Sequence, residues 1–67
     1  MKLKDLLLIV NDYQLVSVWV ESREFEYIHD LHAGSIKSDI AITLTSYGDS
    51  VVTDMYVTES GVLLIKI

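Results

Sequence analysis

The chain has 67 residues, which is enough for one small domain with a single core and leaves no room for a second. Its composition, 51% apolar and 22% charged, is that of a folded protein rather than a disordered one. The net charge of −5 argues against direct binding to nucleic acid, because phosphates require clustered Lys and Arg. It favours a partner with a basic surface, although the same acidity would also serve only to keep a small protein soluble.

Cysteine is absent, which excludes disulfides, thiolate catalysis and the zinc motifs built on cysteine. A reducing compartment is therefore expected. The apolar stretch at residues 6–10 is too short to span a bilayer or to form the core of a signal peptide. We expect a soluble, cytoplasmic protein of a bacterial host, with no membrane partner.

The first half of the chain predicts a short helix followed by a β-hairpin. Apolar residues at 3, 6, 7 and 10 follow helical spacing over 2–10. Over 15–21, valines alternate with Ser17 and Trp19, which is typical of a half-buried strand. The polar run 21–24 is short enough for a hairpin turn. Alternation over 25–31 predicts a second strand, antiparallel to the first, with Phe25, Tyr27, His29 and Leu31 on one face.

The second half predicts a helix and another hairpin. Gly34 and Ser35 are expected to end the second strand, and Ser38 with Asp39 to cap a helix that runs to Gly48. Because β-branched residues in this segment would also suit a strand, the sequence is compatible with either a helix or a strand over 38–47. Residues 51–58 and 62–67, joined by a turn at 59–61, predict a hairpin whose last, almost wholly apolar run is either a central strand or part of a subunit interface.

These elements predict a single α+β domain over 1–67. A short N-terminal helix is followed by β-β-α-β-β, with a mainly antiparallel four-stranded sheet and helices packed on one of its faces.

The opening "MKLKDLL", the hairpin, the segment Tyr47-Gly48-Asp49 and the closing hairpin resemble small proteins of Firmicutes prophages and mobile elements. Those proteins begin with an "MKxKDLL"-like helix and end with an "LxIxI"-like strand. Some small acidic phage proteins of similar host range are anti-CRISPR inhibitors of type II RNA-guided nucleases. The resemblance implies an inhibitor function and transfers no site residue to this chain.

The residues favour binding over catalysis. Each of the three glycines is isolated, without the context of a phosphate-binding loop. A sheet with one helical layer offers little concavity in which a catalytic triad could exclude water. Glu24 and Glu26 share a strand face, but without a cleft we interpret them as solvated carboxylates rather than an acid/base pair. We therefore expect a protein that is not an enzyme.

A candidate zinc site lies at the end of the second predicted strand. His29, Asp30 and His32 carry side chains that zinc accepts as ligands. The two histidines share a face if the segment is helical, whereas Asp30 and His32 share one if it is extended. A closed site needs a fourth ligand from elsewhere. The alternative is that both histidines are ordinary surface residues.

Carboxylates and aromatic side chains in the two hairpins are the candidate partner-binding residues. The carboxylates would take the place of phosphates in the basic channel of a nuclease, and exposed aromatics would anchor the contact. Trp19 is as compatible with the core as with the surface. The candidates are Trp19, Glu21, Glu24, Glu26, Tyr27, Asp49, Asp54, Tyr56 and Glu59.

Two functions follow from these patterns. The first is a phage-type protein that inhibits a host defence nuclease, with a type II CRISPR effector as partner. The alternative is a small accessory or assembly protein of a phage or mobile element that associates with itself and is stabilised by zinc. In either case a homodimer is expected to cover the second face of the strand at 62–67.

Overall fold

A computed structural model describes residues 1–39 and 47–67. These residues form two helices and four strands, with one turn of 3₁₀ helix at Glu21–Arg23 between the first two strands. In chain order these are α1 (Leu3–Ile9), β1 (Leu15–Val20), β2 (Phe25–His32), α2 (Ala33–Ser38), β3 (Asp54–Val57) and β4 (Leu63–Lys66).

The four strands form one mixed sheet in the order β2-β1-β4-β3. β1 pairs antiparallel with β2, and β3 pairs antiparallel with β4, as the two predicted hairpins require. β1 and β4 run parallel, which places the apolar C-terminal strand in the centre of the sheet. The predicted α+β fold with a mainly antiparallel four-stranded sheet is confirmed, and the C-terminal strand is central.

Both described helices pack on one face of this sheet. Alternation along β1 directs its valines to that face, where they meet apolar side chains of the helices and of β4. The buried cluster comprises Leu3, Leu6, Leu7, Val16, Val18, Val20, Ile28, Ala33, Ile36, Ile65 and Ile67. Neither described helix has the length and apolar character needed to cross a bilayer.

The first turn of α1 is held by a distant segment of the chain. Lys2, at the N-cap, makes no capping hydrogen bond with its side chain. Instead the backbone N–H groups of Leu3 and Lys4 donate to the carbonyls of Ser50 and Gly48, both at 2.9 Å. Donors that would otherwise lack a partner at the helix start are thereby satisfied, and the segment before β3 is fixed against α1.

The start of α2 is held in a similar way by the loop that precedes β1. The backbone N–H groups of Ala33 and Gly34 donate to the carbonyls of Gln14 and Asp12 at 2.9 Å. A Cβ added to Gly34 would lie 3.1 Å from the Asp12 Cβ, so glycine permits this close approach. Lys37 Nζ then bonds Asp12 Oδ1 at 2.7 Å from the last turn of α2.

β2 departs from the simple alternation predicted for it. Its pairing with β1 shifts register on both sides of Val18, and Asp30 has a left-handed backbone with φ of 46°. As a result Ile28 is the buried residue of β2, whereas His29 and Leu31 are exposed. The predicted common face is correct for Phe25 and Tyr27, whose rings pack edge-on with centroids 6.4 Å apart. It is wrong for His29, because each bulge inserts a residue and reverses the alternation after it.

The second helix also differs from the prediction. Ser38 and Asp39 were expected to begin a helix, but they end α2, with Asp39 at its C-cap. Gly34 and Ser35 lie within α2 rather than in a break after β2. Docking against the Asp12 loop offsets the low intrinsic helix propensity of glycine. The part of the expected helix at 40–46 lies outside the described residues.

Candidate functional site: the open face of the sheet

The sheet face opposite both described helices carries an ordered set of polar and aromatic side chains. Two cross-strand rows follow from the strand registers. One row contains Glu26, Trp19, Lys66 and Asp54, and the other contains Ser17, Leu64 and Tyr56, with Asp30 bonded to Ser17. We call this surface the open face.

A groove crosses the β1, β4 and β3 part of the open face. Its volume is about 380 Å³, and its lining consists of Trp19, Glu21, Tyr56, Leu64 and Lys66. Trp19 and Leu64 are half-buried, whereas Tyr56 is 49% exposed. Its lining combines the apolar and aromatic side chains of Trp19, Tyr56 and Leu64 with the charged groups of Glu21 and Lys66, so the groove presents both apolar surface and polar groups to a ligand.

Carboxylates dominate the charge around this groove. Lys66 Nζ lies 3.5 Å from Glu21 Oε1, so the one lysine of the groove is already paired. Glu26 and Asp30 lie on the β2 side, and Asp54 lies at the β3 edge. The open face is therefore negative, and it favours a cationic ligand.

A hydrogen-bonded network fixes the β2 side of the open face. Ser17 Oγ accepts a hydrogen bond from Asp30 N and donates one to Asp30 Oδ1, both at 3.0 Å. His29 lies between two carboxylates, with Nδ1 2.5 Å from Glu26 Oε1 and Nε2 3.5 Å from Asp30 Oδ2. The bulge at Asp30 thus brings Glu26, His29 and Asp30 into contact on one surface.

The predicted zinc ligands are only partly brought together. His29 and Asp30 are in contact, but His32 lies at the end of β2, at the N-cap of α2. Among residues 1–39 and 47–67, no group of three or more His, Asp or Glu side chains has a geometry suited to a metal ion. The zinc site at His29, Asp30 and His32 stays a proposal.

Several predicted partner-binding residues lie away from the open face. Glu24 is exposed after the 3₁₀ turn, with a left-handed φ of 52°, and Glu59 is exposed in the β3–β4 turn. Asp49 lies beside α1, with its Oδ1 2.7 Å from Lys4 Nζ and 3.6 Å from Lys2 Nζ. The hydrogen bond from Lys4, together with the charges of both lysines, lowers the pKa of Asp49 below its ordinary value of 3.8.

Tyr27 belongs to a separate aromatic group. It is half-buried against the core, with its ring centroid 4.6 Å from that of Tyr47 in an edge-on arrangement. Burial raises the pKa of Tyr27 above 10.0, and the neighbouring Tyr47 adds to the shift. The structure therefore brings together Trp19 and Tyr56 but not Tyr27.

Sequence reasoning missed Leu64 and Lys66 as groove residues. Both lie in the C-terminal run, whose alternation is hidden because nearly every residue is apolar. Ser17 was also missed, since a lone serine in a strand usually faces solvent. Its burial, at 4% exposure, follows from its hydrogen bonds to Asp30.

No protein-family model matches this chain, nor does any curated protein or solved structure.

Proposed function

We propose that this protein is a non-enzymatic binding protein that takes a basic protein partner on the open face of its sheet. The observation that carries the proposal is the groove of Trp19, Tyr56 and Leu64 among carboxylates, on the face away from both described helices.

The apolar part of the groove supports an anchoring role. Aromatic side chains contribute large contact area at low conformational cost, and Trp and Tyr are enriched among the residues that dominate binding energy. Trp19 is half-buried and held by β1 and β4, so little of its freedom remains to be lost on binding. A partner that inserts an apolar or arginine side chain would complete its burial.

The charges support a cationic partner. Glu26, Asp30 and Asp54 surround the groove on two sides, and the lysine within it is paired with Glu21. Opposite charges speed encounter and exclude acidic competitors more than they add affinity. Binding should therefore weaken as ionic strength rises.

The resemblance to prophage proteins names the first partner to test, a type II RNA-guided nuclease. Carboxylates of the open face would occupy its basic nucleic-acid channel in place of phosphates. In this proposal the protein acts as an anti-CRISPR-type inhibitor in the bacterial cytoplasm.

A plasmid-interference assay with a type II CRISPR system tests this assignment. Expression of the wild-type protein should reduce interference, and Glu26→Lys and Tyr56→Lys should restore it. Asp5→Lys on α1 and Tyr13→Lys in the α1–β1 loop are matched controls, because Asp5 is exposed and Tyr13 is 87% exposed. Undiminished interference with the wild-type protein would remove this class of nuclease as the partner.

The alternative proposal is a self-associating accessory protein braced by zinc. The contact between His29 Nε2 and Asp30 Oδ2 is the observation in its favour. Untagged protein with stoichiometric zinc that is lost in His29→Ala, together with unaltered CRISPR interference, would favour this alternative.

A further inference from the structure

We propose that two copies of this chain pair through the outer edges of β3, in antiparallel register about Tyr56, to form one continuous eight-stranded sheet. β3 lies at the end of the sheet, and all four of its residues are exposed. Among the described residues, β4 is the only strand that pairs with it.

The hydrogen bonds of the β3–β4 hairpin show which backbone groups face outward. Thr58 N donates to Val62 O at 2.8 Å, so Thr58 and Val62 form a hydrogen-bonded pair. Because such pairs alternate along an antiparallel ladder, Tyr56 bonds β4 while Met55 and Val57 direct their backbone groups outward. The Met55 N–H indeed bonds the Asp54 side chain, at 2.8 Å to Oδ1, instead of the ladder.

The free length of this edge selects the register. Before β3, Lys2 bridges Val51, and Val52 N donates to Met1 O, so that end of the edge is closed. After Thr58 the chain turns away at 59–61. The midpoint of the open stretch 54–58 is Tyr56, and the register centred there uses the whole of it.

In this register the strand is complementary to itself. Met55 and Val57 of one copy exchange backbone hydrogen bonds with Val57 and Met55 of the other. Tyr56 faces its own copy as an aromatic pair, and Asp54 faces Thr58 rather than a second Asp54. No like charges are directly opposed.

The other surfaces are poorer candidates for a second copy. Face-to-face packing of two open faces would oppose the carboxylates of Glu26, Asp30 and Asp54. The β2 edge carries register shifts and the left-handed Asp30, which are features that protect an edge from pairing. The regular β3 carries neither.

The small area predicts a weak dimer. About five residues per copy bury far less than the roughly 800 Å² per partner of a typical stable complex. We expect a dissociation constant on the order of 100 µM or weaker. Asp54 must also release the Met55 N–H, so Asp54→Ala should tighten the dimer.

Cysteine substitution tests the register, since the chain has no cysteine. Tyr56→Cys should form an intermolecular disulfide on mild oxidation, because directly opposed residues lie within disulfide reach. Asp54→Cys is the control. Residue 54 of one copy faces residue 58 of the other, so the two cysteines would lie about 14 Å apart at about 3.4 Å per residue. They should not cross-link, even though the substitution frees the Met55 N–H. Equal cross-linking of the two variants overturns the proposal.

Sedimentation from roughly 10 µM to 1 mM tests the dimer without cysteines, over a range that brackets the expected constant. Val57→Lys should abolish the concentration-dependent rise in mass, whereas Leu8→Lys, the same charge change at an equally exposed residue (both 63%), should not. Met55→Pro should also give a monomer. The variant should keep the circular dichroism of the wild-type protein, because the Met55 N–H takes no part in the pairing of β3 with β4. A wild-type mass that stays monomeric, or a dimer that survives Val57→Lys, contradicts the proposal.

Discussion

Asp30 is the residue at which the backbone of β2 leaves the extended conformation, with φ of 46°. A non-glycine residue adopts this region at a cost unless its surroundings hold it there. Ser17 Oγ does so by bonding both the backbone N–H and the carboxylate of Asp30. The pair therefore couples a buried residue of β1 to the shape of the acidic side of the open face.

Removal of the Ser17 hydroxyl should destabilise the fold. Ser17→Ala leaves the Asp30 N–H without its partner, so we expect a loss of about 1 to 2 kcal/mol in the free energy of unfolding. Urea denaturation measures this loss, with the exposed Ser22→Ala as control, for which a change within about 0.5 kcal/mol is expected. Equal stability of the two variants would show that this hydrogen bond pair does not hold the bulge.

At the scale of elements, the β3–β4 hairpin depends on one glycine. Gly61 has φ of 85°, and its N–H donates to Thr58 O at 2.9 Å to close the turn. A Cβ added there would meet no atom within 4 Å, so a substitution adds backbone strain without a clash. The turn places Tyr56 opposite Leu64 and so sets the groove.

Gly61→Ala should lower the free energy of unfolding by about 1 kcal/mol, because alanine is disfavoured in the left-handed region. Gly61→Asn should cost less, since asparagine adopts that region more readily. Thermal unfolding of the two variants gives the comparison. A fully stable Gly61→Ala variant would mean that the turn adopts another conformation at little cost.

For the whole molecule, the distribution of ion pairs makes the open face acidic. Lys2 and Lys4 pair with Asp49 beside α1, and Lys37 pairs with Asp12 beside α2. Three of the chain's five basic residues thus neutralise carboxylates away from the open face. The open face carries four carboxylates, Glu21, Glu26, Asp30 and Asp54, against one cation, Lys66, so it holds −3 of the net charge of −5.

Periodicity predicted α1, both hairpins and the fold class because these depend on local alternation and on turn residues. It did not predict the bulges of β2, one of which lies where Ser17 bonds Asp30, a residue 13 positions away along the chain. It also misplaced α2, whose start is fixed by carbonyls of Asp12 and Gln14.

The groove was predicted only in part for a similar reason. Trp19 and Tyr56 alternate with core residues and are recognisable in the sequence. Leu64 and Lys66 join them only because β1 and β4 run parallel, and local sequence does not specify which strands become neighbours in a sheet.

Trp19 is the only tryptophan and lines the groove, so its fluorescence reports directly on binding at the open face. Titration with a tryptophan-free peptide of alternating Arg and Leu should give a saturable change in emission that weakens with added salt and in Glu26→Lys. A peptide of alternating Glu and Leu is the control and should give none. No saturable change with the basic peptide, or an equal change with the acidic one, would contradict the assignment of the open face as a site for a basic partner.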